Sequence, residues 1–177
     1  MRLGTRLPSL GSILLLVVGI ALLLASGDGD GGERNSGPRR DGSTGRAKAP
    51  VAAVVDGDTI RVELNRTEES VRYIGIDTPE SVIPGERPEC FGKRAAQLNR
   101  SLVEDEEVTL VFGAERRDRY GRLLAYVYVG ERFVNAQIIR RGFARTLAIA
   151  PNTDFAGRFT RLQQAAANAG RGLWGTC

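Results

Sequence analysis

The stretch VAAVVDGDTIRVEL, Val51 to Leu64, decides the fold. Val51–Val55 and Ile60–Leu64 are two runs rich in β-branched residues, and Asp56-Gly57 between them is a strong signal for a hairpin turn. A third run, Val71–Ile76, stops at Asp77-Thr78-Pro79, where proline cannot continue a central ladder. Acids therefore stand at the ends of strands, at Asp56, Asp58, Asp77 and Glu80.

Working outward, Phe91–Leu102 predicts a helix by its alanine and leucine spacing. Val108–Phe112 and Leu123–Val129 predict two more strands. Arg132–Arg141 predicts a second helix with Gly142 as its C-cap. Asp154–Ala169 predicts a third, with Asn152, Thr153 or Asp154 as N-cap and Gly170 as terminator. Five short strands with one interposed helix and two following predict an α+β fold, a five-stranded OB-fold β-barrel with three α-helices, over residues 50–177. That length suffices for one hydrophobic core.

The N-terminus carries Arg2 and Arg6 before an unbroken apolar run from Ile13 to Ala25, then Ser26-Gly27. Residues 1–27 predict a signal peptide or, uncleaved, a membrane anchor. Residues 28–49 are rich in Gly, Ser, Asp and Arg and predict a disordered linker. The protein is then expected to be secreted or anchored at the outer face of the cell membrane.

Composition excludes whole reaction classes. The 177 residues contain no histidine, so there is no Ser-His-Asp or Cys-His triad, no His-ligated zinc and no histidine base. Two cysteines are too few for a Cys-rich zinc site. With export, Cys90 and Cys177 are expected to form a disulfide. The net charge of +4 permits phosphate contacts without demanding them. From Pro50 onward acids and bases nearly balance, and Lys93 is the single lysine there. Any basic surface must come from clustered arginine, which binds phosphate bidentately.

Chemistry is carried by Asp56-Gly57-Asp58-Thr59, by Arg72 with Asp77-Thr78-Pro79-Glu80, and by Asp118-Arg119-Tyr120-Gly121-Arg122. Acids hold a divalent cation and activate water, while arginines hold a phosphodiester. Taken singly, each has a plain structural use: a hairpin turn at Asp56, a strand-ending turn at Asp77, surface pairing at Arg72, a hairpin arginine at Arg122. Together, in this order, the three motifs resemble the staphylococcal-type thermonuclease (micrococcal nuclease) family, from about Val51 to Trp174.

The resemblance implies an OB barrel with three helices and Ca²⁺-dependent hydrolysis of DNA and RNA to 3′-phosphorylated products. By motif, Asp58, Asp77 and the backbone carbonyl of Thr78 would be metal ligands. Glu80 would activate water, and Arg72 and Arg122 would bind the scissile phosphate. Arg119 and Tyr120 would contact substrate. Arg116 and Arg117 are candidates for tracking backbone phosphates alongside Arg119.

The resemblance also sets a departure. Tyrosines that line the nucleotide pocket of the best-known members have no counterpart in Thr146–Pro151, where Ala148 and Ala150 are the expected matching positions. The proline- and glycine-containing loop Ser81–Glu89 is placed to shape substrate entry. Glu104–Glu107 is expected to be an exposed acidic turn, and Trp174 a packing residue for the C-terminal tail. The expected state is a monomer. Competing readings are a non-catalytic nucleic-acid-binding OB module, which needs no base, and a glycoside hydrolase with paired carboxylates, which needs neither arginine.

Overall fold

The computed structural model describes residues 45–81, 85 and 87–177. The signal-or-anchor segment 1–27 and most of the expected linker lie outside the described residues, as do Val82, Ile83, Pro84 and Glu86 of the loop after Ser81. Among the described residues no helix is long and apolar enough to cross a membrane.

The chain runs β1 (Arg46–Asp56), β2 (Thr59–Leu64), β3 (Thr67–Tyr73), β4 (Gly75–Asp77), α1 (Gly92–Val103), β5 (Glu107–Arg117), β6 (Leu123–Val129), β7 (Arg132–Phe133), α2 (Val134–Arg140), β8 (Arg145–Leu147), α3 (Ala156–Asn168) and α4 (Leu173–Thr176). Five strands close a barrel in the order β3-β2-β1-β5-β6, with β6 returning to β3. The closing seam is parallel and short: Val71↔Leu123, Arg72↔Leu124 and Tyr73↔Ala125. This is the expected OB-type barrel with its three helices α1–α3, to which the four-residue α4 adds a C-terminal turn.

Alternation of the side chains builds the core. Ile60 and Val62 of β2, Val71 and Tyr73 of β3, Val108 and Leu110 of β5, and Ala125 and Val127 of β6 are buried at every second position. Two buried asparagines join the barrel to its helices. Tyr73 Oη donates to Asn99 Oδ1 of α1 at 2.9 Å, and Asn99 Nδ2 donates to the Asp56 carbonyl at 2.8 Å. At the start of α2, Asn135 Oδ1 accepts the Val127 N–H and its Nδ2 donates to the Ile74 carbonyl, both at 2.9 Å.

Several expectations shift. β1 begins at Arg46, so residues 46–49, read from composition as linker, are strand; they pair with β5 from Arg46↔Val111 to Ala49↔Val108. Their polarity reflects an exposed strand end on which only Ala49 is fully buried. The run Val71–Ile76 is two strands, because Gly75 takes φ +81° and turns the chain. Arg132 and Phe133 form a short strand with β6 rather than the first turn of α2. Gly142 does end that helix, at φ +78°, with its N–H on the Ile139 carbonyl. No N-cap side chain bonds α3; Phe155 occupies that position. Asn152 is used elsewhere.

Cys90, just before α1, is bonded to Cys177 after α4, with an S–S distance of 2.09 Å. The Arg145 guanidinium lies 5.0 Å from the Trp174 ring centre, seating the C-terminal turn against β8. At the Glu104–Glu107 turn, Glu104 pairs with Arg100 and Glu107 with Lys48.

Candidate functional site

The tip of the β1–β2 hairpin is Gly57-Asp58, flanked by the pair Asp56↔Thr59. A Cβ on Gly57 would lie 2.6 Å from Thr78 Oγ1 and 2.8 Å from the Ala95 Cβ. Glycine is needed here for close approach, because the hairpin tip presses on the end of β4 and on α1. That approach delivers Asp58 to Thr78. Asp58 Oδ2 accepts the Thr78 N–H at 2.7 Å and its hydroxyl at 3.0 Å, while Oδ1 accepts the Thr59 hydroxyl at 3.1 Å. Asp58 is buried, and burial pushes its carboxyl above the usual range despite Arg72 and these hydrogen bonds.

Arg72 stands in the middle of the barrel seam and reaches both acids. Its Nη1 is 2.9 Å from Asp58 Oδ2 and donates to the Ile76 carbonyl at 2.8 Å. Its Nη2 donates to Asp77 Oδ1 at 2.6 Å. The turn at Gly75 makes this reach feasible by swinging Ile76 and Asp77 back over β3; a Cβ there would strike the Phe159 ring at 2.6 Å. Asp77 is otherwise open to solvent, with 51% of its side chain exposed.

Glu80 follows on an extended segment. Its carboxyl is pushed up to about 7, first by a hydrogen bond with the Asp56 carboxyl, then by burial and by the negative charges of Asp56 and Asp58, against the pull of Arg72. Asp56 also accepts the Gly57 N–H at 2.8 Å and the Ser81 N–H at 3.3 Å. The sequence reading gave Asp56 only a turn role and missed its pairing with Glu80. The available signal was the Asp-Gly-Asp spacing itself, which sets two acids at one strand end.

A cleft of about 410 Å³ opens beside this cluster, lined among others by Arg72, Asp118, Arg119, Tyr120 and Arg122. Asp118 organises its rim. Its Oδ1 accepts the N–H groups of Tyr120 and Arg122 at 2.9 and 3.0 Å, and its Oδ2 accepts Arg122 Nε at 2.7 Å, with Nη2 also at 2.7 Å. Burial alone would raise the Asp118 carboxyl, but these bonds outweigh it and hold it below the usual range. Arg122 is thereby aimed into the same cleft as Arg72. Arg119 Nη2 donates to Tyr120 Oη at 2.5 Å and its guanidinium lies 4.7 Å from that ring's centre. Tyr120 is 68% exposed.

The expected arginine cluster divides. Arg117 is bound to both carboxylate oxygens of Glu69, at 2.9 and 2.7 Å, and to the Gly121 carbonyl at 2.6 Å. It closes the β5–β6 hairpin and does not line the cleft. Arg116 lies 4.3 Å over the Phe112 ring, leaving Arg119 as the member of the three that lines the cleft.

Ala148 and Ala150 do not line the cleft; Leu147 and Ile149 do, and both are exposed. β8 pairs Leu147 with Gly75, which lines the same cleft, and Ile149 follows β8 in an isolated bridge with Asn152. Beyond them Asn152 anchors the segment, accepting the Glu115 N–H at 3.0 Å and donating to the Glu115 carbonyl at 2.8 Å.

Asp56, Asp58, Asp77, Thr78 and Glu80 supply oxygen donors only, the preference of a hard cation such as Ca²⁺. Arg72 takes one oxygen each from Asp58 and Asp77, and among the described residues no three acids already enclose one point. The fit to such a cation rests on the chemistry of this all-oxygen donor set.

Known proteins resemble this chain over much of its length. The family model described as "Staphylococcal nuclease homologue" matches residues 70–176. The protein named "Thermonuclease" of Staphylococcus hyicus is 34% identical over 124 residues, covering 70% of this chain and 73% of that one. "Thermonuclease" of Staphylococcus intermedius is 30% identical over 164 residues, 93% and 95% of the two chains. "Endonuclease YncB" of Bacillus subtilis (strain 168) is 38% identical over 122 residues; the match covers 68% of this chain and 58% of that longer protein.

Proposed function

Because this chain belongs to the staphylococcal nuclease family, and is a nuclease of that kind, we propose that it is an extracellular, Ca²⁺-dependent hydrolase of the phosphodiester bonds of DNA and RNA, releasing 3′-phosphorylated products. The observation that carries this reading is one bonded cluster, Asp58–Arg72–Asp77, close to a raised Glu80, whose Arg72 lines the same cleft as Arg122.

Asp58, Asp77 and the Thr78 carbonyl would hold the cation. When bound, it supplies positive charge against the phosphate as negative charge develops. Arg72 and Arg122 bind the phosphate from the cleft and stabilise the same charge. Arginine keeps its proton, so both act as electrostatic clamps. Glu80, whose carboxyl is raised in the cation-free protein, accepts the proton of the attacking water once it is ionised. Tyr120 and Arg119 bound the cleft where the sugar-phosphate would lie. Residues 1–27 would deliver the protein outside the cell, as a secreted or anchored monomer.

The test is cleavage of single-stranded DNA with added Ca²⁺ and with EGTA, for the wild type and for Glu80→Gln. Cleavage that needs Ca²⁺ and falls at least about a hundredfold in Glu80→Gln, with DNA binding kept, supports the reading. Cleavage indifferent to chelator overturns the metal, and unchanged cleavage in Glu80→Gln overturns the base. Binding without cleavage in the wild type would favour a non-catalytic OB module.

A further inference from the structure

Glu80 is held in place by a residue that the catalytic reading leaves unused. Glu89 grips its backbone from both directions: the Glu80 N–H donates to Glu89 Oε2 at 3.0 Å, and the Glu89 N–H donates to the Glu80 carbonyl at 3.0 Å. The Glu89 carbonyl in turn accepts the Gly92 N–H at 3.0 Å. Gly92, the first residue of α1, sits directly on the Glu80 carbonyl, where a Cβ would come within 2.1 Å. Between them Cys90 is fixed covalently to Cys177. The peptide of Glu80 is thus clamped against the segment Glu89–Gly92, and that segment is anchored to the far end of the chain.

We propose that Glu89 is a positioning residue for Glu80, fixing the backbone from which the base reaches water, and that the Cys90–Cys177 bridge anchors it. This rests on the reading of Glu80 as the base. Two features set Glu89 apart from an ordinary loop-closing residue. Its side chain is the acceptor for the N–H of Glu80 itself. Its own main-chain bonds do not depend on the carboxylate, so removing that group loosens Glu80 without releasing the helix start. Positioning of a reacting group within a fraction of an ångström governs turnover more than binding.

The experiment compares Glu89→Ala, Glu89→Gln and Glu80→Gln as full-length protein. Glu89→Ala should lower kcat about tenfold while KM moves less than about twofold, with the melting temperature within about 2 °C of wild type. Glu89→Gln keeps an acceptor oxygen and should restore most of kcat. In the cation-free protein, amide hydrogen exchange at Glu80 should accelerate in Glu89→Ala and return towards wild type in Glu89→Gln. Wild-type kcat in Glu89→Ala, with Glu80→Gln inactive, overturns the positioning role and leaves the base intact. An active Glu80→Gln removes the base reading, and this inference with it. A loss of activity that tracks a fall in melting temperature, or that Glu89→Gln does not repair, also overturns it.

Discussion

Asp56 reaches the peptide that follows Glu80, accepting the Ser81 N–H on Oδ2 at 3.3 Å, and its carboxyl holds that of Glu80 well above the ordinary value. In the cation-free protein Glu80 should therefore titrate near 7, and Asp56→Ala should bring it back towards its ordinary 4.5. Folded protein binds the Glu80 proton more tightly than unfolded chain between those two values. The associated stabilisation is present below about 4.5 and is lost as pH rises through about 7. As a base, Glu80 must be ionised, so cleavage should decline as pH falls below the value it holds in the loaded enzyme. Added Ca²⁺ should lower that value and release protons. Carboxyl carbon NMR titration with and without Ca²⁺ reads all three effects; a Glu80 that titrates near 4.5 without cation would contradict them.

The cleft wall of Leu147 and Ile149 offers aliphatic contact where an aromatic face would stack on a base. Ile149→Tyr should tighten binding of single-stranded DNA by about five- to 150-fold, in line with about 1–3 kcal/mol per stacked base. The turnover number should change little, since neither residue touches the acid cluster. Ala148→Tyr, one residue away and off the cleft, should leave affinity unchanged. Fluorescence titration in EGTA gives both affinities.

Asn135 satisfies two backbone groups in the dry interior, on β6 and after β3. Asn135→Ala strands both and leaves a small void, so unfolding free energy should fall by about 3 kcal/mol. Urea denaturation reads the shift. A change below about 1 kcal/mol would mean water has taken over the two bonds.

The Cys90–Cys177 bridge spans 87 residues of sequence. Reducing it, or replacing both cysteines by serine, should lower stability by about 3–5 kcal/mol through the enlarged unfolded ensemble. Guanidinium titration of the oxidised and reduced protein checks this.

Local chemistry made the hairpin at Asp56–Thr59 and the turn at Asp77-Thr78-Pro79 readable from sequence, because each lies within a few residues of its own signal. The buried alternation of β2, β5 and β6 was readable for the same reason. What escaped depends on partners far along the chain. Gly57 looks like a turn residue, yet its reason lies in Thr78 and Ala95. Asp118 could be placed beside Arg122, but its several-fold grip on that rim needed coordinates. Which residues after Thr146 line the cleft was not legible locally, because β8 is three residues long and carries no hydrophobic period; its register comes from pairing with β4. Arg46–Ala49 reads as linker since three of its four side chains face outward or are only half covered. Asn152 resembled a helix cap and is instead the clamp on Glu115.

Arg72 sits at the centre of the three-pair seam between β3 and β6. The guanidinium that joins Asp58 to Asp77 is therefore carried by the same peptide link that turns an open sheet into a cylinder. Arg72 also faces Thr59 across the β2–β3 pairing, so a single residue position ties the hairpin tip that carries Asp58 to the seam with β6. A change that slips the seam's register would be felt at the acids, because the wall of the cylinder is also the mount of its site.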